Sequence, residues 1–164
     1  MHNVVMKNAI VIRNAATLWA AFCFLPALAQ TPAATPAAPL FAAIGERPAI
    51  LYDGLSTKAN KIFILSRQHP VEIIVKLDHW SKVRDAENTI GWMENSFMGD
   101  KRMVQVSVPG AEIRAAAGAN AAIVFEAQRA VLLEVTGAAT DGWLPVRHRD
   151  GQAGFVRLSQ VWGA

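Results

Sequence analysis

One pattern is written twice in this chain, and that repetition limits the fold more than any other feature. His79–Met93 reads HWSKVRDAENTIGWM, and Gly142–Val156 reads GWLPVRHRDGQAGFV. Counted from Trp80, a Val, an Arg, a Gly and an aromatic fall at the third, fourth, eleventh and twelfth places, as Val83, Arg84, Gly91 and Trp92. Counted from Trp143, the same places hold Val146, Arg147, Gly154 and Phe155. Looser matches lie upstream. AILYDGLSTKANKIFIL (49–65) pairs with AEIRAAAGANAAIVFEA (111–127), and VEIIVKL (71–77) with AVLLEVTG (130–137). A period of about 50 residues marks a supersecondary unit used twice. The polar GDKR (99–102) joins the two, so 46–100 and 101–164 are read as separate units.

Each unit reads as strands. The apolar runs are short, rich in Val, Ile and aromatics, and separated by Gly, Asp or Asn clusters every 8–12 residues or so. After Gly45 no stretch keeps a 3.6-residue apolar period long enough for an ordinary helix. ENSFM (94–98) and RLSQVW (157–162) suffice for a single helical turn each. Small β units of this kind close on themselves to hide their edges. The expected fold is all-β, two tandem small barrels.

The repeated stretch also sets local geometry. Asp150-Gly151 signals a tight hairpin turn, because Gly accepts the positive φ required there. Strand alternation then puts Trp143, Pro145 and Arg147 on one face and Leu144, Val146 and His148 on the other. Trp80, Lys82 and Arg84 likewise lie opposite Val83, so the Val of each copy is the expected core residue. Gly91 and Gly154 mark a bulge or a close backbone approach. Trp92, Phe155 and Trp162 read as core-filling or end-closing aromatics. Trp80 and Trp143 stay open between core and groove.

The first 45 residues read differently. MHNVVMKNAIVIRNAATLWAAFCFLPALAQ has basic residues Lys7 and Arg13, an apolar run and an Ala-Leu-Ala end, the layout of a removable secretory signal over residues 1–29. Residues 30–45, rich in Pro and Ala without periodicity, read as an extended tether. Loss of the signal would remove Lys7 and Arg13 and leave 14 basic residues against 13 acidic ones. A near-neutral chain without a single-sign block gives no pointer to nucleic acid or a membrane surface, and no nucleic-acid partner and no membrane span after cleavage are expected. The lone Cys23 would leave too, and with it any disulfide or thiol chemistry.

Catalytic patterns are missing. His69, His79 and His148 show no metal-ligand spacing to one another or to carboxylates, and no serine sits in a nucleophile elbow. His148 and Asp150 read as a solvated pair at a turn, and Asp53–Lys61 as a surface loop able to form a groove wall. No cofactor, no metal and no enzymatic activity are expected. Aromatic residues beside basic ones suggest contact chemistry instead. Tyr52, Trp80 and Arg84 are the candidate lining of one groove, and Arg114, Trp143 and Arg147 of another. Such floors suit extended peptides or sugar-peptide polymers, with Arg pairing to carboxylates.

A W-x-x-V strand, a turn and G-[WF]-[VM], preceded by a short strand ending Ile113-Arg114, resembles the bacterial SH3-like (SH3b) domain. The first copy has Leu51-Tyr52 at that strand end, and its turn, DAENT, has no Gly. The resemblance implies two barrels of five or six strands in an exported, periplasmic or secreted protein of the cell envelope. It also implies a non-catalytic binding role toward peptidoglycan peptides or a periplasmic protein partner. The alternative is a structural or accessory envelope protein whose barrels only pack against proteins.

Overall fold

A computed structural model describes residues 39–164, so the expected signal and most of the expected tether lie outside the described residues. The first unit contains β1 (Leu40–Ile44), β2 (Ala49–Tyr52), β3 (Lys61–Leu65), β4 (Pro70–Lys76), β5 (Trp80–Arg84), β6 (Ile90–Glu94) and β7 (Met98–Gly99). The second contains β8 (Met103–Val106), β9 (Gly110–Arg114), β10 (Ile123–Gln128), β11 (Leu132–Val135), β12 (Trp143–Arg147), β13 (Ala153–Arg157) and β14 (Val161–Trp162). The sheets run β3-β2-β6-β5-β4-β1-β7 and β10-β9-β13-β12-β11-β8-β14. Element for element the order is the same, so the written repeat is a repeat in space. The expected single helical turns are 3-10 turns at Asn95–Phe97 and Leu158–Gln160.

Two details depart from expectation. Each sheet has seven strands rather than five or six, the last only two residues long. Moreover, the tether does not reach Gly45. Leu40–Ile44 is β1, with Ala42 opposite Val71 on β4 and Ile44 opposite Met98 on β7, and Ala43 and Ile44 buried. Leu-Phe-Ala-Ala-Ile directly follows a Pro/Ala stretch and lies outside the repeated pattern, so nothing in the sequence separates it from the tether. Its strand state comes from pairing on both sides, since β propensity depends chiefly on context.

Alternation along these strands builds one core per unit. Ile44, Ala49, Leu51, Leu65, Val71, Val83 and Met93 fill the first, and Val104, Val106, Ala111, Ile113, Ala127, Leu133, Leu144, Val146 and Val156 the second. The repeated Gly serves one purpose in both. A Cβ on Gly91 would stand 2.9 Å from the Leu51 Cβ, and one on Gly154 would stand 2.6 Å from the Arg114 carbonyl oxygen. Only a bare backbone lets β6 and β13 lie this close to their neighbours. Gly151 has φ +97° as its turn demands, and in the Gly-free turn of the first copy Asn88 takes the left-handed position at φ 66°.

Candidate functional site: an aromatic face on the first barrel

The outer face of β2, β5 and β6 gathers the aromatics of the first barrel. Ser81 and Val83 on β5 and Gly91 and Met93 on β6 point inward and are buried. Trp80, Lys82 and Trp92 therefore point out. Cross-strand register puts Trp92 beside both Tyr52 and Lys82. The Tyr52 and Trp80 rings meet edge to face with centroids 5.8 Å apart, and the Lys82 ammonium lies 5.9 Å from the Trp92 ring centroid. Edge-to-face pairing suits the quadrupoles of the two rings, and the ammonium is drawn to the electron-rich ring face. Tyr52 is buried, while Trp80 and Trp92 are half-exposed.

Trp80 borders a shallow cleft lined by Asp78, His79, Glu94, Asn95 and Ser96. A polar network fixes its walls. The Ser81 hydroxyl donates to Asn95 Oδ1 at 2.6 Å, and Asn95 Nδ2 donates to the carbonyls of Leu77 and Asp78 at 2.7 and 3.1 Å. The Asn95 amide N–H also donates to the His79 carbonyl at 2.9 Å. One side chain thus ties the β4–β5 loop to the end of β6. On the far side, the Asp53–Asn60 loop is pinned at its base, because the Asp53 carboxylate accepts from the Asn60 amide N–H at 3.0 Å and from its Nδ2 at 2.8 Å.

The expected residues divide on inspection. Tyr52 and Trp80 do meet. Arg84 is at the other end of β5, four residues or roughly 13 Å along the strand, and its Nε donates to Glu72 Oε2 at 2.9 Å. In the second barrel the aromatic face does not form. Arg114, which stands where the first barrel has Tyr52, donates to Glu112 and to the Ala121 carbonyl. Trp143 is only 6% exposed and lies under Arg157, whose guanidinium carbon is 4.6 Å from the ring centroid. Arg147 is exposed and lines a separate cleft with Glu46, Arg67 and Arg149.

Sequence reasoning passed over Trp92, placed in the core by expectation, and over Lys82, Glu94 and Asn95. The signal was there in the differences between copies. Ser81, Asn95 and Glu94 correspond to Leu144, Leu158 and Arg157, so the first copy keeps a polar cleft where the second is apolar and capped.

Histidine geometry also differs in part from the expectation. His148 Nδ1 and Asp150 Oδ1 are 2.9 Å apart at the hairpin turn, as a solvated pair should be. The hydrogen bond from His148, helped by the Gln152 N–H, holds the Asp150 carboxyl below its ordinary range. His69, by contrast, lies beside Asp85 and Glu87, carboxylates that sequence spacing did not connect to it. Burial pushes its imidazole pKa down, partly opposed by Glu87 and Asp85.

Two small β-barrels of the same strand order, the first carrying an aromatic, partly charged outer face, make up the described residues. The bacterial SH3 domain family model matches the chain twice, at residues 45–97 and 107–163, and the chain belongs to that family. Among curated proteins nothing matches. Solved structures titled as NlpC2 and NlpC1 from Trichomonas vaginalis match at 12% and 14% identity, each over 76% of this chain and at a TM-score of 0.35. They are covered over 48% and 45% of their own length, so the chain spans about half of each. A superposition of that quality carries no argument about function. No helix among the described residues is long and apolar enough to cross a membrane.

Proposed function

We propose that the protein is a cell-envelope binding module whose first barrel holds a peptide or sugar-peptide polymer such as peptidoglycan, while the second serves as its support. The observation that carries this reading is the row Trp80–Tyr52–Trp92, with Lys82 at one side and the Asp78/Glu94 cleft at the other. A stem peptide carries both carboxylates and an amine on apolar stems. Lys82 has no carboxylate partner among the described residues and is placed to meet the former. Asp78 and Glu94 are placed to meet the latter, and the rings cover the stems. Export to the periplasm or beyond belongs to the same proposal and rests on the signal-like first 29 residues.

Purified peptidoglycan pulldown tests it. Wild type is retained, Trp80→Ala loses at least about tenfold of that retention, as truncation of an aromatic hot spot does, and Trp143→Ala does not. Lack of wild-type retention, or equal retention of Trp80→Ala, overturns the cell-wall reading. Exposed Ile62, Phe63 and Ile64 on the sheet-edge strand β3 favour the second reading, a module that packs only against proteins. In that case β3 substitutions, not Trp80→Ala, abolish envelope association.

A further inference from the structure

Where the two barrels meet, a second set of side chains converges that the aromatic face does not use. His69 ends the loop between β3 and β4, Asp85 follows β5, and Glu87 lies in the β5–β6 turn. One ligand atom from each of the three lies within 4.8 Å of the other two. Donors around one Zn2+ are separated by at most about 4.4 Å, twice the metal–ligand bond length, so small side-chain rotations complete the convergence.

The surroundings are built rather than incidental. Asp85 is 2% exposed, and its Oδ1 accepts from the Glu87 and Thr89 amide N–H groups at 3.0 and 2.7 Å. Those bonds fix the turn and leave the second carboxylate oxygen free. Gln105 on β8, 3% exposed, donates from Nε2 to Glu87 Oε1 at 2.9 Å, holding that carboxylate from the second barrel. Two atoms here are buried without any hydrogen-bond partner: His69 Nε2 and Gln105 Oε1. Orphaned buried polar atoms are uncommon in folded proteins and call for a missing partner. A histidine whose buried Nε2 makes no hydrogen bond, grouped with two carboxylates, is what a cation would satisfy.

We propose that His69, Asp85 and Glu87 form a site for a divalent transition-metal ion of the Zn2+ type, with Gln105 as the outer partner that links it to the second barrel. One imidazole and two carboxylates make the mixed nitrogen–oxygen donor set that Zn2+ accepts, whereas Mg2+ and Ca2+ prefer oxygen alone. A bound ion would tie the β3–β4 loop to the β5–β6 turn, which Gln105 holds from β8. This inference is independent of the peptidoglycan reading.

Calorimetric titration of the full chain with Zn2+ alone, after chelation and desalting, tests the site. Wild type binds one ion per chain with a raised Tm. His69→Gln and Glu87→Gln lose that binding, Gln105→Ala weakens it about 10–100-fold as outer partners do, and His79→Gln and His148→Gln keep it. Glu87 is exposed, so Glu87→Gln keeps the wild-type Tm in chelator and separates loss of the site from loss of the fold. No saturable wild-type binding overturns the proposal, and so does His69→Gln or Glu87→Gln binding with wild-type affinity.

Discussion

Single residues decide which barrel can receive a ligand. A buried hydroxyl such as Ser81 must find a partner or lose about 1–3 kcal/mol, and Asn95 supplies it while bonding two loop carbonyls as well. Leu144 and Leu158 meet the same constraint by removing the polar groups altogether, and the wall they would hold is gone. Titration of His69 follows from its burial. Its folded pKa lies below the ordinary 6.5, so both states are neutral at higher pH. As pH falls through 6.5, the unfolded chain takes up the proton first, and stability drops until the folded pKa is passed. In chelator, wild type therefore loses Tm between about pH 7 and pH 5 more steeply than His69→Gln; equal slopes would count against the burial of the imidazole. The sequence made Trp80 legible because alternation puts it opposite Val83, and Tyr52 because it stands at the end of its strand. It hid the pairing of Arg84 with Glu72 and of Arg114 with Glu112, because ion pairs depend on register that only the folded sheet supplies.

At the level of elements, the close approach at the repeated pattern's Gly is the feature most exposed to test. Gly154→Ala would push a methyl to 2.6 Å from both the Arg114 carbonyl oxygen and the Ile113 Cγ2, and a backbone oxygen cannot step aside. The substitution is expected to destabilise the second barrel by about 1–3 kcal/mol, the range for overpacking a well-filled site. Gly110→Ala, with nothing within 4 Å of the added carbon, is the control and should stay within about 0.5 kcal/mol, as surface changes do. Denaturant midpoints of the two variants decide the matter; similar midpoints would mean that β13 can shift away from β9. Strand positions around this Gly were readable because the pattern occurs twice and its hairpins carry turn residues. β1 and β8 were not, since neither LFAAI nor MVQV belongs to the repeated motif and each gains its state from two partners at once. The family match shows the same boundary, starting at residue 45 in the first copy and 107 in the second, after each of these strands.

Over the whole molecule, those two strands are where the barrels touch. β1 presents Phe41 to Trp162 of β14, with ring centroids 5.1 Å apart and planes at 77°, and β8 presents Gln105 to Glu87. Pro70 at the start of β4 lies against Gly163, where an added Cβ would stand 3.0 Å from the Pro70 Cβ. The described residues fall in one compact unit, as this junction would produce. Coupling through it is measurable. Phe41 and Trp162 belong to different barrels, and neither is among the fully buried residues of the cores. Truncating one should therefore weaken the junction more than its own barrel. A double-mutant cycle with Phe41→Leu and Trp162→Leu is expected to return a coupling energy of about 0.5–1.5 kcal/mol, the usual worth of an aromatic pair beyond its buried area. A value near zero would mean that the rings are neighbours without mutual support. Barrel-to-barrel geometry would then rest on the polar side of the junction, where Gln105 reaches Glu87.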